Sequence, residues 1–89
     1  MLQKTIRALN NPVRRKILEI LKPGPKNVGE ILVQLDITGA TLSHHLKILK
    51  DTGLLSDSKN GNQIIYEINT SVFEDVMAWI TGLINSGAK

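Results

Sequence analysis

Residues 38–53, Thr-Gly-Ala-Thr-Leu-Ser-His-His-Leu-Lys-Ile-Leu-Lys-Asp-Thr-Gly, decide how the rest of the chain is read. Thr38 suits a helix N-cap, because its hydroxyl can accept from a free backbone N–H of the first turn. Gly53 stands where a helix needs a left-handed terminal residue, a conformation that only glycine takes freely. Between them Leu42, Leu46 and Leu49 fall at i, i+4 and i+7 and make one apolar stripe. At about 100° per residue the opposite face centres on Ala40, His44 and Lys47, with Ser43 beside them. That face carries small side chains, hydroxyls, an imidazole and an ammonium, and meets no carboxylate until Asp51. A surface helix shaped only by solubility mixes Glu with Lys. The stretch therefore reads as a helix that lies in a DNA groove.

The residues just before it fit that reading. Asn27-Val28-Gly29-Glu30 resembles a capping box with Asn in place of Ser or Thr. Val28, Ile31, Leu32 and Leu35 follow as an apolar stripe, and Asp36-Ile37 is a brief connector into Thr38. Residues 27–53 thus have the spacing of a helix-turn-helix. Pro23-Gly24-Pro25 separates this unit from what precedes it.

Two further helices stand upstream. Leu2, Ile6 and Leu9 make one face of a short helix that cannot stand alone and must pack on something. Asn11-Pro12 is a strong start signal, with Asn at the cap and Pro at the first helical position. Val13, Ile17, Ile20 and Leu21 then form the apolar side of a second helix. Arg14, Arg15 and Lys16 lie in its first two turns, where the helix dipole disfavours cations. A solvated basic face would be the ordinary explanation. Phosphate contacts from a helix N-terminus are the functional alternative and would account for the conflict with the dipole.

After Gly53 the period changes from helical to alternating. Residues 55–59 and 62–68 flank Asn60-Gly61, a strong hairpin signal when both turn positions take positive φ. A two-residue loop there pairs Lys59 with Asn62 and Leu55 with Tyr66. The tip presents Ser58, Lys59, Asn60, Asn62 and Gln63, all able to hydrogen-bond and none acidic. Directly after a helix-turn-helix, a DNA-contacting wing is the better reading than an ordinary solvated hairpin. Asn69-Thr70-Ser71 caps a last helix over about residues 71–85. Val72, Val76, Trp79, Ile80 and Leu83 share one face, and Phe73, Met77 and Ile84 widen it. That arc is broader than a small monomer's terminal helix requires.

Composition sets the outer limits. Eighty-nine residues make one domain, 1–89, with a modest core that a partner subunit would reinforce. Hydrophobic residues are 42% but aromatic ones only 3%, so the core must be Leu, Ile and Val. The net charge is +3 with a pI near 9.5. Residues 1–65 hold ten Lys/Arg against five Asp/Glu, whereas residues 66–89 hold one against three. A basic body with a slightly acidic tail suits an anionic partner for the body and another task for the tail. With no cysteine there is no disulfide, thiolate metal site or cysteine nucleophile. No apolar run approaches membrane-spanning length and no signal peptide is evident, so a cytoplasmic location without membrane insertion is expected.

The fold expected is mainly α with a small β-hairpin: a winged helix-turn-helix with four helices, a two-stranded wing and a C-terminal helix. Three stretches carry a family resemblance: Ala8-Leu-Asn-Asn-Pro-Val-Arg-Arg-Lys-Ile-Leu18, Thr41-Leu-Ser-His-His-Leu-Lys-Ile-Leu49, and the wing ending in Ile65-Tyr66. Together they resemble the ArsR (ArsR/SmtB) family of bacterial transcriptional repressors, and within it the small autorepressor type without metal ligands. The resemblance implies a homodimer built from the first and last helices, an inverted-repeat operator in double-stranded DNA, and repression relieved by some signal. This chain departs from the family pattern in places. Asn11-Pro12-Val13 stands where Asp-Pro-Thr is frequent. Lys59 stands where Arg is common, which removes a bidentate contact. Residues 28–35 hold no Cys or His, so the thiolate pair of the metal-sensing members is missing, and the last helix has no His.

The expected DNA-contacting residues are Arg14, Arg15, Lys16, Thr38, Gly39, Ala40, Thr41, Ser43, His44, His45, Lys47, Lys50, Lys59, Asn60, Asn62 and Gln63. The expected dimer surface is Leu2, Ile6, Leu9, Phe73, Val76, Met77, Trp79, Ile80, Leu83 and Ile84. No catalytic residue, cofactor or metal site is expected. His44 and His45 are adjacent and diverge on a helix, so they cannot chelate one ion together. His45 should be half-buried beside the leucine stripe. Glu74 and Asp75 diverge likewise, with no nucleophile beside them. Trp79 in an apolar stripe reads as core or interface rather than a nucleic-acid platform. With no metal site, control is left to protein abundance, a protein partner that competes for the basic face, or a small ligand. A winged-helix protein-interaction module is the alternative function, and an unusual metal sensor a third.

Overall fold

The computed structural model describes residues 2–87. In chain order the elements are α1 (Leu2–Leu9), α2 (Pro12–Leu21), β1 (Lys26–Asn27), α3 (Val28–Leu32), α4 (Gly39–Asp51), β2 (Leu55–Asn60), β3 (Gln63–Ile68) and α5 (Thr70–Gly87). This is a winged helix-turn-helix with a helix at either end.

Local chemistry fixes the helix ends. Asn11 accepts from the Arg14 N–H at 3.1 Å and Pro12 takes the first helical position of α2. At α3 the capping box is complete: Asn27 accepts from Glu30 N at 2.8 Å, and Glu30 accepts from Asn27 N at 2.9 Å. The C-terminus of α4 closes in a Schellman turn. Gly53 N–H donates to the Lys50 carbonyl and Leu54 N–H to the Leu49 carbonyl, both at 3.0 Å. Gly53 has φ +81°, and a Cβ there would sit 3.1 Å from Val72 Cγ2, so a side chain at this position would be strained and would crowd Val72.

The leucine stripe of α4 forms the floor of the core. Leu42, Leu46 and Leu49 are buried against Ile17 and Leu21 of α2, Ile31 of α3, and Leu54 and Leu55 at the start of the wing. Burying eight such side chains, at about 1.5–3 kcal/mol each, holds α2, α3 and α4 as one unit. The first helix turns differently from its expected stripe. Thr5 and Ala8 face the core, Leu2 and Leu9 are half-buried, and Ile6 is exposed.

The wing differs from the sequence reading in two respects. Its sheet has three strands in the order β1-β3-β2, because Lys26 and Asn27 pair with Tyr66 and Ile65 of β3. The hairpin register also shifts by two. Asn60 pairs with Gln63 and Leu55 with Ile68, so the loop is Gly61-Asn62 rather than Asn60-Gly61. Gly61 has φ +64° while no non-glycine among the described residues has positive φ, which is the demand of a turn needing positive φ only at its first central position. A shift of two leaves every side chain on its original face, so the exposed polar tip survives the change.

Asn69 immediately precedes α5, and its side chain accepts from Ser71 N at 3.2 Å. Val72 and Phe73 pack on the core, and the helix then runs outward, giving the molecule extents of 52 × 24 × 22 Å. Among the described residues no helix is long and apolar enough to cross a membrane.

Candidate nucleic-acid interface

The exposed surface of α4 is built by burying its other side. With Leu42, Leu46 and Leu49 turned inward, Ala40, Ser43, His44 and Lys47 are all exposed. The helix start is exposed as well, at Thr38, Gly39, Ala40 and Thr41. Thr38 Oγ1 accepts from Thr41 N–H at 3.2 Å and donates to Thr41 Oγ1 at 2.9 Å, closing the first turn. The positive end of the α4 dipole therefore opens to solvent with no acidic residue in its first turn. A phosphate or a base edge finds backbone N–H groups, hydroxyls and an imidazole there.

The wing supplies the second exposed polar group. Ser58, Lys59, Asn60, Asn62 and Gln63 are all solvent-facing. Gln63 is also anchored: its Oε1 accepts from Asn27 Nδ2 at 3.3 Å, which ties the wing to the cap of α3. Gln63 keeps its amide N–H groups for another acceptor.

The basic residues divide into engaged and open ones. Arg14 and Arg15 close the C-terminus of α1. Arg14 Nε donates to the Ala8 carbonyl at 2.8 Å, and Arg15 Nη1 donates to the Leu9 carbonyl at 2.7 Å. This removes the apparent conflict with the α2 dipole, since the two cations serve the negative end of the neighbouring helix. Lys50 is held by Asp57 of β2 at 2.9 Å, and that carboxylate raises its pKa. Lys47 pairs with Asp51 one turn on at 3.1 Å, an exposed pair of small energetic weight. Lys16 and Lys59 are exposed, with no ion pair among the described residues. The sequence reading missed the engagements of Arg14, Arg15 and Lys50. Each depends on how separate elements pack, though two orphan carbonyls before a Pro-started helix are a signal for a donor nearby.

His45 is half-buried, as its place beside the stripe indicated. Its Nδ1 lies 3.2 Å from Arg14 Nη1. Burial first, then the Arg14 and His44 charges, hold its pKa below the ordinary histidine value. Among the described residues no group of three or more His, Cys, Asp or Glu could hold a metal ion.

α5 carries an exposed apolar surface. Met77, Trp79, Ile80, Leu83 and Ile84 of α5 are 61, 47, 41, 55 and 66% exposed, with Ile6 of α1 at 44%. Val76 and Phe73 are half-buried at the inner end of that surface. Leu2, Thr5, Val72 and Val76 line a groove of about 520 Å³ between α1 and α5.

Comparison with known proteins places this architecture. Residues 11–57 match the model of the bacterial regulatory protein, arsR family. The chain is 38% identical over 86 residues to the transcriptional repressor SdpR of Bacillus subtilis (strain 168), covering 97% of this chain and 96% of that one. It is 35% identical over 68 residues to an arsenical resistance operon repressor of Staphylococcus xylosus, covering 76% of this chain and 65% of the relative. A crystal structure of an ArsR family transcriptional regulator superposes with a TM-score of 0.90 at 27% identity, over 99% of this chain and 91% of that one. An ArsR-like regulator from Rhodococcus sp. RHA1, at 20% identity, shares the fold with a TM-score of 0.91 over 98% of this chain and 80% of its own.

Proposed function

The chain belongs to the arsR family of bacterial regulatory proteins, and from that premise we propose that it is a transcriptional repressor that binds double-stranded DNA as a homodimer at an inverted-repeat operator. α4 enters the major groove with Ser43 and His44 toward base edges. Lys47 and the open first turn of α4 meet phosphates. The wing tip, led by Lys59, reaches the flanking backbone. Arg14, Arg15 and Lys50, being engaged within the chain, contribute field rather than direct contacts. The protein is not an enzyme.

The observation that carries this reading is the division of α4 into a buried leucine face and an exposed face free of carboxylate over its first three turns. The dimer follows from the second exposed surface. Paired across a two-fold axis, the outer halves of α5 and the Leu2 and Ile6 side of α1 become an interface core. The axis then sets two copies of α4 in successive major-groove segments about 34–36 Å apart, or a multiple of that. With no cysteine and no metal-holding cluster among the described residues, control is assigned to protein abundance, a protein partner or a small ligand. A gel shift with the promoter region of the protein's own gene tests the reading, autorepression included. Specific retention that weakens steeply with salt supports it, and equal retention of random duplex would contradict it.

A further inference from the structure

Among the described residues, α4 has two polar side-chain links to other elements. Lys50 binds Asp57 of β2 at 2.9 Å, and that hydrogen bond raises the lysine's pKa. The other link is His45 to Arg14 of α2. Arg14 spans two helices: Nε donates to the Ala8 carbonyl of α1 at 2.8 Å, and Nη1 lies 3.2 Å from His45 Nδ1. A guanidinium can only donate. His45 Nδ1 must therefore present its lone pair, and the ring is neutral with its proton on Nε2. We propose that Arg14 and His45 are a positioning pair that sets the recognition helix against α1, and that specific DNA binding requires the neutral form of His45.

The inference rests on α4 being the recognition helix. The groups facing His45 all act against a second proton. Partial burial disfavours the cation, Arg14 repels it from α2, and His44 repels it from within α4, with ring centroids 5.6 Å apart. On the α1 side the link ends on a neutral carbonyl, that of Ala8. No carboxylate contributes to the shift. Protonation leaves two cations face to face at hydrogen-bond distance, and α4 loses its polar tie to α1. The chain thereby acquires a connection from a helix of the proposed dimer surface to the helix in the groove. Arg14 works inside the protein, with no phosphate on it.

The test starts without DNA. Long-range ¹⁵N–¹H correlations of the imidazole in the full chain at about pH 7.5 should show His45 Nδ1 unprotonated and Nε2 protonated. Arg14→Gln should move the His45 titration upward. A protonated Nδ1, or a titration indifferent to Arg14, overturns the pair. DNA binding is then measured on a duplex that the wild-type protein selects from a randomised pool. Arg14→Gln and Arg14→Lys should each lose about tenfold in affinity, since neither replacement satisfies both acceptors. In Arg14→Lys, which keeps the charge, the slope of log K against log salt and the affinity for random duplex should stay unchanged. His45→Asn places an Oδ1 near the position of Nδ1 and cannot be protonated. It should keep wild-type affinity near neutral pH and abolish the loss that the wild type shows as pH falls below about 6.5. Thermal unfolding at neutral pH checks that each variant is folded.

Three results contradict the proposal. A salt slope reduced by about one in Arg14→Gln would make Arg14 a phosphate contact. Wild-type binding that strengthens as pH falls, with His45→Asn weak, would make His45 a cationic contact. A wild-type protein that selects no duplex, while the imidazole spectra show the pair, would remove the DNA reading and leave the pair a purely structural tie.

Discussion

α4 and α5 are both amphipathic helices, yet they treat their apolar faces in opposite ways. α4 has a three-leucine stripe, and all three leucines are sealed inside the chain. α5 is the longer and more apolar helix, yet no side chain described on it is fully buried, and five of its large hydrophobics are exposed. The stripe of α4 is complete within one molecule, so its remaining face is left for a polar partner. The face of α5 is incomplete, and its natural complement is another apolar surface. The same rule of burial thus points one helix toward DNA and the other toward a second copy of the chain.

Matched truncations sharpen that contrast most. Leu46→Ala removes a side chain only 1% exposed and should destabilise the fold by about 2–5 kcal/mol. Leu83→Ala, at 55% exposure, should leave the monomer's unfolding nearly unchanged and weaken self-association instead. Chemical denaturation at low protein concentration, beside sedimentation of the same samples, checks both. If Leu83→Ala destabilised a dilute monomer as much as Leu46→Ala, the contrast between the helices would collapse.

Charge inserted into α5 gives the next effect. Trp79→Asp and Ile84→Asp should each weaken dimerisation by about 2 kcal/mol or more, because a carboxylate would be buried unpaired at the interface. Operator affinity should fall with it. On the other helix, His44→Ala and Ser43→Ala should each cost about 1–3 kcal/mol on the specific duplex, with little change on random DNA. Unchanged sequence preference in His44→Ala would mean that the wrong face of α4 had been assigned to the groove.

The junction between the two helices gives a smaller signal. Gly53→Ala should cost about 1–2 kcal/mol, since alanine resists the left-handed conformation and its Cβ would crowd Val72. The least effect is on pH. His45 binds its proton more weakly when folded than in the ordinary range, so its contribution to stability is present above about pH 6.5 and is lost as pH falls through the folded value. The melting temperature should drop slightly over that range, and His45→Asn should remove that component.

How far the sequence could be read follows the range of the interactions. The caps at Asn11, Asn27 and Thr38 and the turn at Gly53 act within a few residues, and they mark the starts of α2, α3 and α4 and the end of α4, whereas α3 stops at Leu32, short of the stripe that runs on to Leu35. The second strand pair was harder. Lys26 and Asn27 become a strand only because Tyr66 and Ile65 lie beside them, some forty positions on. The hairpin loop moved from Asn60-Gly61 to Gly61-Asn62 because the register satisfies the whole ladder, with Leu55 opposite Ile68, and not the turn alone. The exposed face of α4 and the polar wing tip were legible, since one follows from helical phase and the other from composition. The roles of Arg14 and Arg15 were not, because the carbonyls of Ala8 and Leu9 come within their reach only once α1 folds back on α2. Lys50 likewise looked free until Asp57 was brought beside it.

The central claim is that two copies of α4, joined through α1 and α5, read one DNA site. Sedimentation velocity of a labelled duplex selected by the wild-type protein, titrated with the full chain at micromolar concentration, tests it most directly. The account predicts a complex of two chains per duplex, with wild-type protein dimeric alone and Trp79→Asp monomeric and weakly bound. A folded wild-type monomer that bound the duplex tightly as one chain per site would contradict it.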